Sequence, residues 1–371
     1  MFNLRPTVGA AVLALVPLMP LLAGAQTNDP KAGLRSAVAN AVEPLLGSGS
    51  AAVVERLSKV KFDGAISRNF DLSRVTTGLF GRSAVTVAPD CRSASTSVKE
   101  PDTGLCVVDA GNRDSETGAY TVLAFSKNIG QGDLTFIRRP AFDPRNEALP
   151  ASVKLTDAQA YQQALKFLDL VGVPRSEIPV PPADAKNPLP VRSHMAGIGD
   201  AKGGTQTVTL SKLVQLPRAF VVPGGLLRDA ATGIVLNHVI APGGATLTVT
   251  DAGVQFARIE GWSDAQWDAK LDPRQAKSTA VLVNEITDDL WGEGVRSATN
   301  LSALISLRRA YPNPDDPNPP LCPVCGVLRP ALRVMVTQVG LNAVEAGVVA
   351  PPGMVREYDL VAQTEAERPA R

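Results

Sequence analysis

Four cysteines carry the most specific chemistry in this 371-residue chain. Cys322 and Cys325 form the motif Cys-Pro-Val-Cys-Gly, and Cys91 and Cys106 flank a polar stretch rich in Ser and Thr. A Cys-x-x-Cys pair is compatible with a disulfide, with half of a structural zinc site or with a thiol–disulfide exchange centre. The choice between them depends on the compartment of the protein and on whether further metal ligands are near.

The N-terminus has the layout of a secretory signal peptide. Arg5 is the only charged residue before an apolar run that reaches about Leu22, and Ala23-Gly24-Ala25 follows. Small residues at these positions are typical of a cleavage site, here between Ala25 and Gln26. The apolar run is shorter than the ~20 residues of a membrane-spanning helix and contains two prolines. We therefore predict a signal peptide at 1–25 and a periplasmic or secreted protein.

Export favours disulfides over the other cysteine chemistries. We predict one disulfide between Cys91 and Cys106 and a second between Cys322 and Cys325. A zinc site stays an alternative for the Cys-x-x-Cys pair, and it would need two further ligands. Redox catalysis is the third possibility, although such a cysteine usually begins a helix and here a proline-rich stretch precedes the pair.

Few other residues are arranged for catalysis. The chain has neither a Gly-x-Ser-x-Gly motif, nor a phosphate-binding Walker loop, nor His-Glu-x-x-His. Its two histidines, His194 and His238, are far apart and have no nucleophile close in sequence. We expect both to be structural, and we predict no catalytic, cofactor-binding or metal-binding residue.

Composition and charge exclude several classes of partner. The formal net charge of the whole chain is +1, and removal of Arg5 with the signal peptide would leave a neutral protein. A neutral chain lacks the basic surplus that nucleic acid or anionic lipid attracts. The 31 glycines and 30 prolines indicate many turns and short strands. We expect no nucleic acid partner and no stable membrane insertion after cleavage.

Hydrophobic periodicity predicts an α+β fold, with antiparallel sheets and packed helices. Helical spacing occurs in residues 34–46, 153–171 and 274–291, with Thr156 or Asp157 and Asp272 as N-caps. Short alternating runs predict strands within 61–145, 204–262 and 300–360. The apolar side of the last helix is predicted to comprise Ala280, Val283, Ile286, Thr287 and Leu290.

The stretch from LTDAQAYQQALKFLDLVGV to GVQFARIEGW resembles the PepSY-type domains found in prosegments of thermolysin-like metallopeptidases and in bacterial envelope proteins. The resemblance covers about residues 150–262. It implies a helix packed on an antiparallel sheet, and a module without catalytic residues that contacts or restrains other proteins. The chain departs from a full prosegment arrangement because no peptidase motif follows.

These observations predict an exported, non-catalytic binding or regulatory protein of the bacterial cell envelope, whose partner is another envelope protein such as a peptidase. The alternative is an exported hydrolase with a site built from residues distant in sequence. The predicted divisions are the signal peptide, a helical lead-in with a β-rich unit at 26–150, a PepSY-like module at 151–271, and a second helix-plus-sheet module with a frayed tail at 272–371.

Overall fold

The computed structural model describes residues 29–62, 66–81, 86–87, 105–109, 119–126, 132–139, 152–180, 189–199, 204–225, 227–228, 235–263, 265–268, 271–296, 300–310, 327–337 and 354–362. The helices there are α1 (Ala32–Leu46), α2 (Ala51–Leu57), α3 (Ile66–Asn69), α4 (Leu72–Phe80), α5 (Asp157–Leu170) and α6 (Thr279–Gly292). No helix in these ranges is long and apolar enough to cross a membrane.

The strands are β1 (Thr86–Val87), β2 (Leu105–Asp109), β3 (Tyr120–Ser126), β4 (Leu134–Arg139), β5 (Val191–Gly199), β6 (Thr205–Val221), β7 (Leu227–Arg228), β8 (Val235–Leu236), β9 (His238–Thr250), β10 (Gly253–Glu260), β11 (Gln266–Trp267), β12 (Asn300–Ala310), β13 (Val327–Thr337) and β14 (Met354–Asp359). The α+β prediction is confirmed at this coarse level, with more strand than helix. Strands therefore dominate the fold.

Helix α5 forms where its sequence signals predict it. The Thr156 hydroxyl accepts the Gln159 N–H while the Gln159 side chain accepts the Thr156 N–H, which completes a capping box. Its apolar stripe, including Ala160, Ala164 and Leu168, is buried. The chain then turns at Gly172, where φ is +87° and a Cβ would lie 2.8 Å from the Asn69 carbonyl carbon. Only glycine fits this position without strain.

Helix α6 begins later than predicted. Asp272 does cap a turn, but that turn is a three-residue 3₁₀ helix with Pro273 at its start. The α-helix itself starts at Thr279, where the Ser278 hydroxyl accepts the Val281 N–H. The predicted apolar side is buried except for Ala280, which is exposed. In the first turn of α6 it is Thr279 that is buried.

Helix α4 is an element that the sequence analysis missed, since residues 61–145 were predicted to be β-rich. Its signals are present: Asp71 caps it by accepting the Arg74 N–H at 3.1 Å, and Val75 and Leu79 are buried four residues apart. The strands that were predicted in this region, β1 to β4, do form and are antiparallel.

Twelve strands of the described residues join in one sheet. From one edge, the order is β1-β2-β3-β4-β10-β9, and β9 then pairs with β6, which pairs with β5. Strand β9 also meets β12 through a parallel bridge between Ile240 and Ser306, and β13 lies between β12 and β14. Strand β11 runs parallel to β13. The antiparallel prediction is therefore wrong for two ladders, because long connections allow strands to return in parallel.

Two hydrophobic cores lie along this sheet. The first is formed by α4 and α5 against β2, β3, β4 and β10. The second is formed by α1, α2 and α6 against β12, β13 and β14. Strand β6 contributes Val214 and Leu216 to the first core and Phe220 to the second. Strands from residues 26–150 and 151–271 pair directly, and the predicted divisions of the chain stay a prediction.

A β-bulge marks the passage from one core to the other. The register between β6 and β9 shifts so that Pro217 pairs with Gly244 but Arg218 pairs with Ala241. The extra residues, Pro242 and Gly243, bend β9, as bulges generally do. Gly243 has φ of +114°, and a Cβ there would lie 2.7 Å from the Gly261 carbonyl oxygen. Glycine is therefore required where these two backbones approach.

Candidate binding surfaces and buried charges

The two histidines do not form a shared site. His194 is exposed and lies opposite Ser211 of β6, whereas His238 is half-buried and lies opposite Val221. These partners are ten residues apart along β6, about 30 Å at ~3.3 Å per strand residue. Burial lowers the pKa of His238 below its ordinary value. Among the described residues, none hydrogen-bonds either imidazole.

Two buried acidic residues, one just after β11 and one on β14, form ion pairs with arginines. Asp268 accepts from Arg329 at 2.6 Å, and Asp359 accepts from Arg308 through both carboxylate oxygens. Within the described part of the chain, no group of three His, Cys, Asp or Glu side chains is placed to bind a metal ion. The geometry of these carboxylates is that of structural ion pairs between strands.

Cys106 is the cysteine that the structure describes. It is fully buried in the first core and is disulfide-bonded. Its predicted partner, Cys91, lies outside the described residues, as do Cys322 and Cys325. The same holds for the predicted cleavage site at Ala25 and Gln26. Both pairings and the signal peptide therefore stay predictions.

A buried ion pair lies at the bulge between the two cores. Glu177 and Arg218 have 1% exposed side chains, and the Arg218 Nε donates to Glu177 Oε2 at 2.7 Å. The Trp262 indole N–H donates to the same oxygen at 2.9 Å, and Arg218 Nη1 donates to the Ser263 carbonyl at 2.8 Å. Trp262 is fully buried. These contacts join the segment after α5 to β6 and to the end of β10.

A cleft is lined by residues of the bulge, including Pro217, Pro242 and Gly243. We call it the kink cleft, and it has a volume of about 530 Å³. Its walls include Gln215, Pro217, Pro242, Arg258, Glu260 and Arg309. Arg258 and Glu260 form an ion pair in which both side chains are about 60% exposed. The cleft therefore combines apolar walls with charged groups at its rim and floor.

Strand β5 is exposed along much of its length. Residues 192–195 of β5 are all exposed, and Met195 retains 60% of its surface. Strand β5 pairs with β6 along one side, and no described strand pairs with its other side. The bulge in this ladder lies in β6, between the partners of His194 and Met195, so the edge strand itself is unbroken.

Hydrogen bonds in the middle and at one end of the β5–β6 pair define which backbone groups face outward. The Thr209 N–H donates to Ser152 Oγ, and the Thr209 carbonyl accepts from the Val153 N–H at 2.8 Å. Both groups of Thr209 thus point away from β5, so the opposite residue, Met195, points its own N–H and carbonyl away from β6. Pro190 accepts from the Gln215 N–H, which gives the same alternation.

Ser193 and Met195 therefore present backbone donors and acceptors at an open edge. Within the described ranges no group accepts these N–H bonds. Exposed edge strands usually carry prolines or lysines that prevent further pairing, whereas β5 contains neither. The run VRSHMAGIG was not identified as a strand from sequence, because it lacks β-branched alternation and is rich in small residues. The absence of proline from this run was the sequence signal that could have indicated a strand with an open edge.

No model of a protein family, no curated protein and no solved structure matches this chain. The resemblance of residues 150–262 to PepSY-type domains therefore stays a prediction.

Proposed function

We propose that this protein is an exported, non-catalytic binding protein of the bacterial cell envelope, and that it contacts another protein through the open edge of β5. The observation that carries this proposal is the outward direction of the Ser193 and Met195 backbone groups on an exposed, unbroken edge strand. Such an edge accepts an extended segment of a partner as an additional strand.

The charge of the β5–β6 pair favours a particular kind of segment. Strand β5 contains Arg192 and no acidic residue, and its neighbour β6 contributes Lys212. Asp157 pairs with Lys212 at 2.8 Å, which leaves Arg192 as the cation of the edge strand. Opposite charges on directly paired strand residues are stabilising. The proposed partner segment is therefore extended, carries a carboxylate opposite Arg192, and has no net positive charge.

Export and module organisation are parts of this proposal. The layout of residues 1–25 supports secretion, and N-terminal sequencing of the exported protein should begin at Gln26. The pattern that resembles PepSY-type domains supports a role in restraining another protein, such as a peptidase. The two helix-plus-sheet modules, 151–271 and 272–371, are proposed as the units of that architecture.

Photo-crosslinking in cells tests the docking edge. A benzophenone amino acid at His194, which is exposed on β5, should give a discrete adduct with another envelope protein after irradiation. The matched control position is Val281, which is 51% exposed on α6. The adduct is identified by mass spectrometry of the crosslinked peptide. An adduct with equal yield at both positions, or none at His194, would contradict the proposal.

A backbone variant separates strand addition from side-chain contact. Met195→Pro removes one outward N–H without removing a β5–β6 hydrogen bond, a position at which edge strands tolerate proline. We expect the His194 adduct to fall at least tenfold in Met195→Pro and to persist in Met195→Thr. An unchanged adduct in Met195→Pro, or an adduct with a second copy of this chain, would overturn the proposed mode.

A further inference from the structure

Arg309 is the residue that points to a second binding site. It is half-buried on β12 and lines the kink cleft. Its Nη2 donates to the Gly261 carbonyl at 3.1 Å and to Ser263 Oγ at 2.6 Å. Both acceptors are neutral, and none of the described carboxylates forms an ion pair with it. The one described carboxylate in the lining of the cleft, Glu260, is paired with Arg258, so the guanidinium of Arg309 lines the cleft without an ion-pair partner among the described side chains.

Three other arginines of the same sheet are paired with carboxylates. Arg308, the adjacent residue of β12, pairs with Asp359, and Arg333 of β13 pairs with Glu357 at 2.6 Å. Arg218, which follows the lining residue Pro217 in β6, is paired with Glu177. Each of these arginines is matched by a carboxylate from the chain. A partly desolvated cation without such a match is stabilised by an anionic ligand.

The rest of the cleft defines what that ligand looks like. Arg258 lies at the rim, and its exposed pair with Glu260 is of a kind that contributes little to stability, so it can exchange partners. Gln215 and Thr246 offer neutral hydrogen-bonding groups, and Pro217 and Pro242 form apolar walls. These features fit a carboxylate carried by an apolar body, with room for one side chain beside the charge.

We propose that the kink cleft binds a monocarboxylate with an apolar substituent. Arg309 makes the main contact with the carboxylate, and Arg258 makes a weaker second contact. The same chemistry is offered by the C-terminus of a polypeptide and by a free aliphatic acid. This site is separate from the β5 edge, and the proposal that it binds a carboxylate does not depend on the proposed docking of a partner strand. Charge-assisted bonds from a guanidinium fork are the strong, directional part of such recognition.

Calorimetric titration of the mature protein at low salt tests the site with N-acetyl-leucine and N-acetyl-leucinamide. These probes share the apolar body and differ in the negative charge. We expect the acid to bind at least tenfold more tightly than the amide. Hexanoate, tested in parallel, distinguishes the two sources: tighter binding of N-acetyl-leucine indicates a polypeptide terminus, and tighter binding of hexanoate indicates a free acid. Equal affinity for acid and amide, or no binding of either acid, would overturn the proposal.

Variants locate the site within the sheet. Arg309→Gln should weaken binding of the preferred acid at least tenfold, and Arg258→Gln should weaken it less. Arg333→Gln is the matched control, since it removes an arginine of the neighbouring strand outside the cleft. Circular dichroism verifies folding, and if Arg309→Gln does not fold, Arg258→Gln carries the test. Affinity that is unchanged in the folded cleft variants, or lost equally in Arg333→Gln, would contradict this assignment.

Discussion

The ion pair between Glu177 and Arg218 shows how charged side chains are accommodated in the interior of this protein. Glu177 lies in the 3₁₀ turn after α5, and Arg218 lies at the register shift of β6. Burying either charge alone costs several kcal/mol, and the partner together with neighbouring polar groups offsets this cost. The Trp262 indole and the Ser263 carbonyl provide those groups. The pair thus ties three segments together at the junction of the cores.

We predict that Glu177→Gln lowers the free energy of unfolding by about 3–5 kcal/mol, because it removes the negative charge that faces a buried guanidinium. Asp169→Asn is the matched control, since its pair with Arg175 is nearly half exposed and should contribute at most ~1 kcal/mol. Urea unfolding monitored by tryptophan fluorescence measures both. The double variant Glu177→Leu/Arg218→Met should lose less than Glu177→Gln, and a larger loss would contradict the electrostatic explanation.

His238 makes stability depend on pH. Burial lowers its folded pKa below the ordinary value of 6.5, so the unfolded chain binds a proton first as the pH falls. The contribution of His238 is therefore fully present above the unfolded pKa and is lost as the pH falls from there to the lower, folded pKa. We predict that His238→Gln reduces the loss of stability between pH 7.5 and 5.5. Urea unfolding at both values checks this, with exposed His194→Gln as the control. Parallel pH profiles for wild type and His238→Gln would exclude the effect.

The helix termini show how far local sequence determines an element. At α5, a complete capping box and a glycine at the following turn place both ends where the sequence predicts them. At α6, an equally regular Asp-Pro start produces only a 3₁₀ turn. There, Ala276 bridges to Val361 and the Lys277 N–H donates to the Leu360 carbonyl, so pairing with the C-terminal strand region interrupts the helix. Tertiary hydrogen bonds thus replaced the first helical turn.

We predict that Thr156→Ala lowers the free energy of unfolding by about 1 kcal/mol, because it removes the hydroxyl from the capping box of α5. Ser278→Ala should have a smaller effect, near ~0.5 kcal/mol, since Ser278 makes one cap bond at 3.3 Å. Thermal unfolding followed by circular dichroism compares the two variants. A larger loss of stability in Ser278→Ala than in Thr156→Ala would show that the capping hydrogen bonds do not determine the size of these effects.

The whole molecule depends on strands that cross from one core to the other. Strands β6 and β9 each contribute side chains to both cores, so local unfolding of either half exposes apolar surface in both. The disulfide at Cys106 lies in the first core, on β2 near the edge of the sheet. Its closed loop, if it pairs with Cys91 as predicted, would restrict the unfolded chain more than the short Cys322–Cys325 loop.

We predict that Cys91→Ser lowers the melting temperature more than Cys322→Ser. A ring near 15 residues contributes roughly 3 kcal/mol on the loop-entropy model, whereas the four-residue ring contributes less. Peptide mapping of the non-reduced protein checks the pairings, and calorimetry in oxidising buffer measures the melting shifts. Stoichiometric zinc in protein purified from the envelope, with four reduced thiols, would exclude both disulfides.

The sequence by itself determined the α+β texture, the helix of residues 157–170 and the strands that alternate clearly, because these depend on capping and on spacing of apolar residues. Only the tertiary structure decided the parallel ladders, the bulge at Pro242–Gly243 and the pairing of Glu177 with Arg218, since each joins segments far apart in the chain. The edge of β5 that no described strand covers, and the charge of Arg309 that no described carboxylate pairs with, have the same origin. Both depend on which strand or carboxylate lies beside a residue, and local sequence patterns do not contain that information.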